Sequence, residues 1–381
     1  MSVLTRGSVP KRVSRRRALA FMTVFLAAGS LFMVIPAARA DVPGHGFGYV
    51  WASDAARTIG EEYTPTAPFN VNSTGTPNTV VHQATGQYLV SFPGFGPLGT
   101  AMVTAYGRQR LDDYCKIQHW LGFTGSVATK LSVLCFDRNG TPVDAQFTAT
   151  YTDNEPGMAR GAYLWNDRPS ESVDIAYEPD LSFQYNPTGH RNWINRYATG
   201  RYLIGLTGLG PSQGPANVLV TAYGSSAVYC TVLRTNSDSF SLFANVDCFT
   251  PGGAFEDSQF VLTYIEGGDT LFTPTGSRPM AYADLNCRDL WPLRGRCVGV
   301  QARPRDGLRV NMVADGQWAV FLPGVNLAGG NVQVTTRNDD RTPRRRCKVG
   351  FWNATDGVNV FCRDNLGRAV TQAHFTVSFV A

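Results

Sequence analysis

Three near-copies of one segment lie end to end in this chain, so its fold is that of a short unit used repeatedly rather than of one large core. Gly86-Gln-Tyr-Leu-Val recurs as Gly200-Arg-Tyr-Leu-Ile and as Gly316-Gln-Trp-Ala-Val, at steps of 114 and 116 residues. Val103-Thr-Ala-Tyr-Gly returns as Val220-Thr-Ala-Tyr-Gly and, loosely, as Val334-Thr-Thr-Arg-Asn. The copies also end alike, in Gln146-Phe-Thr-Ala-Thr-Tyr, Gln259-Phe-Val-Leu-Thr-Tyr and His374-Phe-Thr-Val-Ser-Phe. We therefore divide the chain after its leader into repeats at 41–155, 156–274 and 275–381, the last divergent and basic.

Each copy alternates apolar and polar residues with a period of two, as in Tyr88, Val90, Phe92 and Phe147, Ala149, Tyr151. That period puts alternate side chains on opposite faces of a strand. It predicts an all-β fold of three tandem antiparallel β-sandwich domains of about 110 residues, with one face of each strand in the core and the other in water. Asn139-Gly140, Pro251-Gly252-Gly253 and Asn365-Leu366-Gly367 mark turns before the last strands.

Residues 1–40 read as a secretory signal peptide. They carry seven basic residues and no acid, an apolar run from Ala18 to Pro36, and Ala38-Arg39-Ala40 before Asp41. Ser14-Arg15-Arg16 also fits the twin-arginine type of export signal. An uncleaved anchor is the alternative reading; no other segment is long and apolar enough to span a membrane. Without the leader 27 basic residues face 29 acidic ones, so the high overall pI gives no reason to expect intracellular nucleic acid as a partner.

All eight cysteines follow the leader, in a protein read as exported, and pairing is the default there. Register between the copies predicts one cross-strand bridge in each: Cys115–Cys135, Cys230–Cys248 and Cys347–Cys362, with hairpin tips near Gly125, Ser239 and Ala354-Thr355. Cys287 and Cys297 pair with each other by elimination. No Cys-x-x-Cys or neighbouring histidine suggests a metal, and no cofactor motif is present.

Chemistry is harder to find. Gly210-Pro211-Ser212-Gln213-Gly214 has the letters of a hydrolase nucleophile elbow, but a strand rather than a helix is expected after it. His82, His119 and His374 occupy positions where other copies have different residues, and Asp144 and Asp257 read as turn caps. Trp120 and Trp352 fall beside predicted hairpin tips, placing them either against a neighbouring strand or domain or on a ligand such as a sugar; Trp51 and Trp165 read as core. Residues 41–277 hold 12 basic and 21 acidic groups, residues 278–381 hold 15 and 8. The basic groups peak at Arg341, Arg344, Arg345, Arg346 and Lys348, which could grip an anionic polymer, form a solvated hairpin, or dock on the acidic part of this same chain.

The phrases Gly-x-Tyr-x-Val-x-Phe-Pro-Gly, Val-Thr-Ala-Tyr-Gly, Val-x-Cys-Phe-Asp and Asp-x-Gln-Phe-Thr-x-x-Tyr resemble a group of exported bacterial β-repeat proteins with no assigned activity. More faintly, the strand patterns are similar to those of lectin-like modules and phage tail-fibre tips. The resemblance implies export and transfers no site residue; it is the repetition that supports binding, because duplicated modules increase avidity or extend a rigid scaffold. The sequence thus leads to a secreted, non-enzymatic binding protein for a cell-wall polymer, glycan or protein surface. A hydrolase with its site at a domain interface, and a passive spacer, are the alternatives.

Overall fold

The structure, a computed structural model, describes residues 46–381 except 122–127, 154–160, 213–215, 267–279, 291–292, 304–305 and 339–343; residues 153, 288–290 and 293–303 are described by backbone alone. The leader read at 1–40 lies outside the described residues.

The recurring Gly-x-Tyr phrase begins after a turn that only glycine suits. Gly86, Gly200 and Gly316 have φ of 68°, 66° and 71°, a region L-residues rarely adopt. Their carbonyls accept hydrogen bonds from Cys135, Cys248 and Cys362 at 2.8, 2.8 and 2.9 Å. A Cβ at these three positions would stand 2.6–2.8 Å from the carbonyl oxygens of the same cysteines. The turn, the strand after it and the bridged strand therefore recur together.

Each repeat forms a sandwich of two layers. In the first, the inner layer consists of Phe47–Ala52, Asn70–Asn72, Gly99–Tyr106 and Gln146–Asp153, and the outer layer of Glu62–Tyr63, Thr79–Ala84, Gln87–Pro93, Tyr114–Leu121 and Ala128–Phe136. Val50, Val90, Phe92, Phe147 and Tyr151 fill the space between them. The second and third repeats have their own cores, around Ile204, Val246 and Phe260, and around Trp318, Val360 and Phe375. Among the described residues the fold is all-β apart from one short 3₁₀ turn at Leu181–Phe183.

No sheet belongs to one repeat. The outer layer of the third continues into the inner layer of the first, that of the first into the second, and that of the second into the third, giving sheets of eight, nine and nine strands. Pairing within each layer is antiparallel, but the crossings are parallel, at Val349 beside Tyr106, Ile117 beside Tyr223 and Val232 beside Arg337. The last residue of each Val-Thr-Ala-Tyr-Gly phrase makes the link: the amides of Gly107, Gly224 and Asn338 donate to the carbonyls of Val349, Ile117 and Val232 at 2.9, 3.0 and 3.0 Å. The three repeats close on one another in a ring, and residues 41–381 form one compact unit.

The threonine of the same phrase lies inside this ring. Thr104 Oγ1 accepts from the amide of Val334 at 3.1 Å and donates to the Gln333 side-chain oxygen at 2.7 Å, with the Val334 carbonyl at 3.4 Å. Thr335 accepts from the Val220 amide at 3.0 Å and donates to its carbonyl at 3.4 Å, and Thr221 pairs in the same way with Val103, at 3.3 and 3.5 Å. A hydroxyl is both donor and acceptor, so each threonine uses both capacities on the neighbouring repeat. The expected wet face is thus buried in the inner layers: Thr104, Thr148, Thr150 and Thr152 are buried. The alternation is as read, but the second face meets the other repeats instead of water.

The bridges Cys115–Cys135, Cys230–Cys248 and Cys347–Cys362 are present, with Cα atoms 4.0, 4.0 and 4.1 Å apart and each pair directly opposite in register. Cys287 and Cys297 also stand opposite each other between Met280–Leu290 and Leu293–Arg303; the side chain of Cys297, like the tip at Gly125, lies outside the described residues.

Candidate functional site

The sequence-predicted aromatic residues gather at the places where repeats meet. Trp352 of the third repeat sits 5.9 Å from Trp51 and 5.3 Å from Tyr106 of the first, ring centre to ring centre, with Phe69 at 5.7 Å. Its Nε1 donates to the Gly329 carbonyl at 2.8 Å. Trp120 of the first repeat meets Trp165 and Tyr223 of the second at 6.3 and 5.3 Å and donates to the Pro97 carbonyl at 3.2 Å. With 8 % and 7 % of their surface exposed, Trp120 and Trp352 are seated between repeats and have no open face for a sugar. Trp51 and Trp165 are half-buried at the same two junctions.

At the third junction, between repeats two and three, the equivalent positions hold Thr235, Asp284 and Arg337. The Arg337 guanidinium contacts the Asp284 carboxylate and donates to Thr235 Oγ1 at 3.4 Å, and His374 Nε2 lies 2.9 Å from the other Asp284 oxygen. Asp284 and Arg337 are both buried.

The basic cluster is likewise turned inward. Arg345, Arg346 and Lys348 are buried, and Lys348 Nζ reaches the Asp113 carboxylate and the Arg110 carbonyl (2.7 Å) of the first repeat. Burial drives the Asp113 carboxyl up and the Lys348 ammonium down from their ordinary pKa values, and the charge of each opposes the other's shift. Arg344 covers the rings of Phe249 and Phe255 at 5.2 and 4.9 Å. Docking on the same chain, one of the three readings, describes these contacts. Arg341 lies outside the described residues.

An open cleft of about 730 Å³ lies beside the Trp352 junction, between repeats one and three. The first repeat supplies Asp54, Arg108, Gln109, Asp144 and Gln146; the third supplies Phe351, Asn353 and Asp356. The loop after Gly107 is two residues longer than its counterpart after Gly224 and carries Arg108 and Arg110. The Arg108 guanidinium stacks over the Phe351 ring at 4.0 Å, making a flat, amphipathic wall. Much of the acidic lining has structural partners. Asp54 faces Arg57 at 3.3 Å, and Asp144 accepts from the Gly86 amide at 2.7 Å and faces His82 at 3.0 Å. Asp356 accepts from the Asn353 side chain at 2.9 Å. The lining offers hydrogen-bond donors and acceptors to a polar ligand along one flat wall. Sequence reasoning missed this cleft; the extra length after Gly107 was the available signal.

Asp257 repeats the Asp144 arrangement, accepting from the Gly200 amide at 2.6 Å, with Arg196 where the first repeat has His82. Burial raises its pKa, yet hydrogen bonds from Arg196 and the Gly200 amide outweigh that and leave it lowered. The strand Ala216–Tyr223 follows the Gly210–Gly214 segment, as expected for a loop and not a nucleophile elbow. Among the described residues no three histidine, cysteine or carboxylate side chains are placed to hold a metal, and no helix is long and apolar enough to cross a membrane. Comparison of the chain with protein-family models, curated proteins and solved structures finds no match.

Proposed function

We propose that this is a secreted binding protein that holds a polar extracellular ligand, a glycan or a segment of cell-wall polymer, in the cleft between its first and third repeats. The observation that carries the reading is the cleft itself, whose 730 Å³ suits two or three sugar rings and whose Arg108–Phe351 wall offers a stacking surface among polar side chains. The basic leader, the disulfides and the resemblance to exported β-repeat proteins support secretion. A hydrolase is the second reading, because Asp54, Asp144 and Asp356 are brought from two repeats to one cleft.

The test is retention of residues 41–381 on cell walls, purified polysaccharides and heparin. Phe351→Ala and Arg108→Ala are expected to reduce retention at least about tenfold, the scale of one lost stacking contact, while Arg191→Ala, exposed in the second repeat, retains it. Retention unchanged by both cleft variants would overturn the reading, and release of sugars from any of these polymers would favour hydrolysis.

A further inference from the structure

The residues immediately before the first bridged cysteine of each repeat are Tyr114, Tyr229 and Arg346, and ring closure brings all three together. The Tyr114 and Tyr229 rings meet at 5.8 Å. The Arg346 guanidinium lies over both, at 4.7 and 4.9 Å. Where threefold repetition would place a third aromatic ring, the chain has a cation.

That cation is 94 % buried, and among the described residues its Nε, Nη1 and Nη2 have no hydrogen-bond partner. The Tyr229 hydroxyl is also buried and without a partner, whereas that of Tyr114 donates to the Ala227 carbonyl. Both residues line one partly open cavity of about 60 Å³ on the axis of the ring. Lys116, also buried, lines it too, with Nζ donating to the Ser226 carbonyl at 2.8 Å. No carboxylate lines the cavity among the described residues.

A buried guanidinium with its donors unmet costs several kcal/mol unless a counter-charge accompanies it. The stacked rings offset part of this through their π faces, and the neighbouring Tyr114 hydroxyl, a neutral acceptor, supplies no counter-charge. The cavity is large enough for more than a single water and far too small for a polymer or a sugar. We propose that the axial cavity is a binding site for a small inorganic monovalent anion of the size of chloride, held by the Arg346 guanidinium and the Tyr229 hydroxyl, which locks the three repeats together. This site is separate from the cleft, and its test does not depend on any glycan.

The test uses residues 41–381 with bromide and chloride as probes. In crystals grown in bromide, an anomalous peak is expected within about 3.5 Å of the Arg346 guanidinium nitrogens. In solution, raising chloride from 5 to 300 mM at constant ionic strength, with gluconate as the balancing anion too large for the cavity, is expected to raise the melting temperature by about 2–5 °C. Tyr229→Phe, which keeps the ring, is expected to reduce that increment, and Arg346→Met to abolish it. If Arg346→Met does not fold, the bromide peak and the Tyr229→Phe increment decide. Water alone in the cavity at high bromide, or a chloride increment equal in wild type and Tyr229→Phe, would overturn the proposal.

Discussion

Two of the three junctions are closed by aromatic rings and the third by charge, although all three occupy equivalent positions of one repeated unit. Where Trp352 meets Trp51 and Tyr106, and where Trp120 meets Trp165 and Tyr223, apolar area is buried; the indole N–H groups of the two central tryptophans find carbonyl partners, whereas those of Trp51 and Trp165 are buried without one among the described residues. At the third, Thr235, Asp284 and Arg337 occupy the same three places. An aromatic junction gains from burial alone, whereas a buried ion pair must first recover the desolvation of both ions. The backbone links at Gly107, Gly224 and Asn338 are nevertheless alike. The ring geometry is thus set by the main chain and the threonines, and side chains only decide how strongly each seam holds.

The largest effect should come from Trp352→Ala, which removes the ring shared with Trp51, Tyr106 and Phe69; we expect a loss of about 3–5 kcal/mol in denaturant unfolding. A loss under about 1 kcal/mol would mean that the aromatic junctions do not hold the ring. Asp284→Ala leaves Arg337 buried beside His374 without its carboxylate and should cost about 3 kcal/mol. Asp284→Leu combined with Arg337→Met should recover most of that and come within about 1 kcal/mol of the natural protein, since buried ion pairs are often no better than apolar replacements. If the double variant is as unstable as Asp284→Ala, the ionic junction is indispensable and the comparison fails.

Smaller effects concern charge at the seams. Burial pushes the Lys116 ammonium down to about 7, against a partial upward pull from Glu256. The unfolded chain, with its lysine near about 10.4, then holds more protons between these values, so stability rises with pH from about 7 to about 10 and the cost is fully present below 7. Lys116→Met should flatten that rise. Lys348, at the same position but facing Asp113, is the contrasting case. For Asp257, whose pKa is lowered in the fold, stability is present above the ordinary carboxylate range and lost as pH falls through it, and Asp257→Asn should lessen that acid loss.

The parts of this architecture that depend on neighbours in sequence were legible. Glycine turns, alternating strands and three cross-strand cysteine pairs all follow from spacings within one repeat and their recurrence in the other two. Ring closure was not, because alternation tells which residues leave one face of a strand and not what covers the other. Thr104 and Thr148 look like wet residues, and their partners Val334 and Val332 lie some 230 and 184 positions away. Trp120 and Trp352 illustrate a second limit: an aromatic side chain that packs between repeats and one that stacks on a ligand have the same letter. At the ionic junction a signal did exist, since Arg337 stands where Val-Thr-Ala-Tyr-Gly has tyrosine. It passed as drift in a divergent copy.

The central claim is that shared sheets make three repeats one cooperative structure, and scanning calorimetry of residues 41–381 tests it most directly. The account predicts a single transition whose calorimetric enthalpy equals its van't Hoff enthalpy. Two or three separable transitions, with the basic third repeat melting on its own, would contradict it.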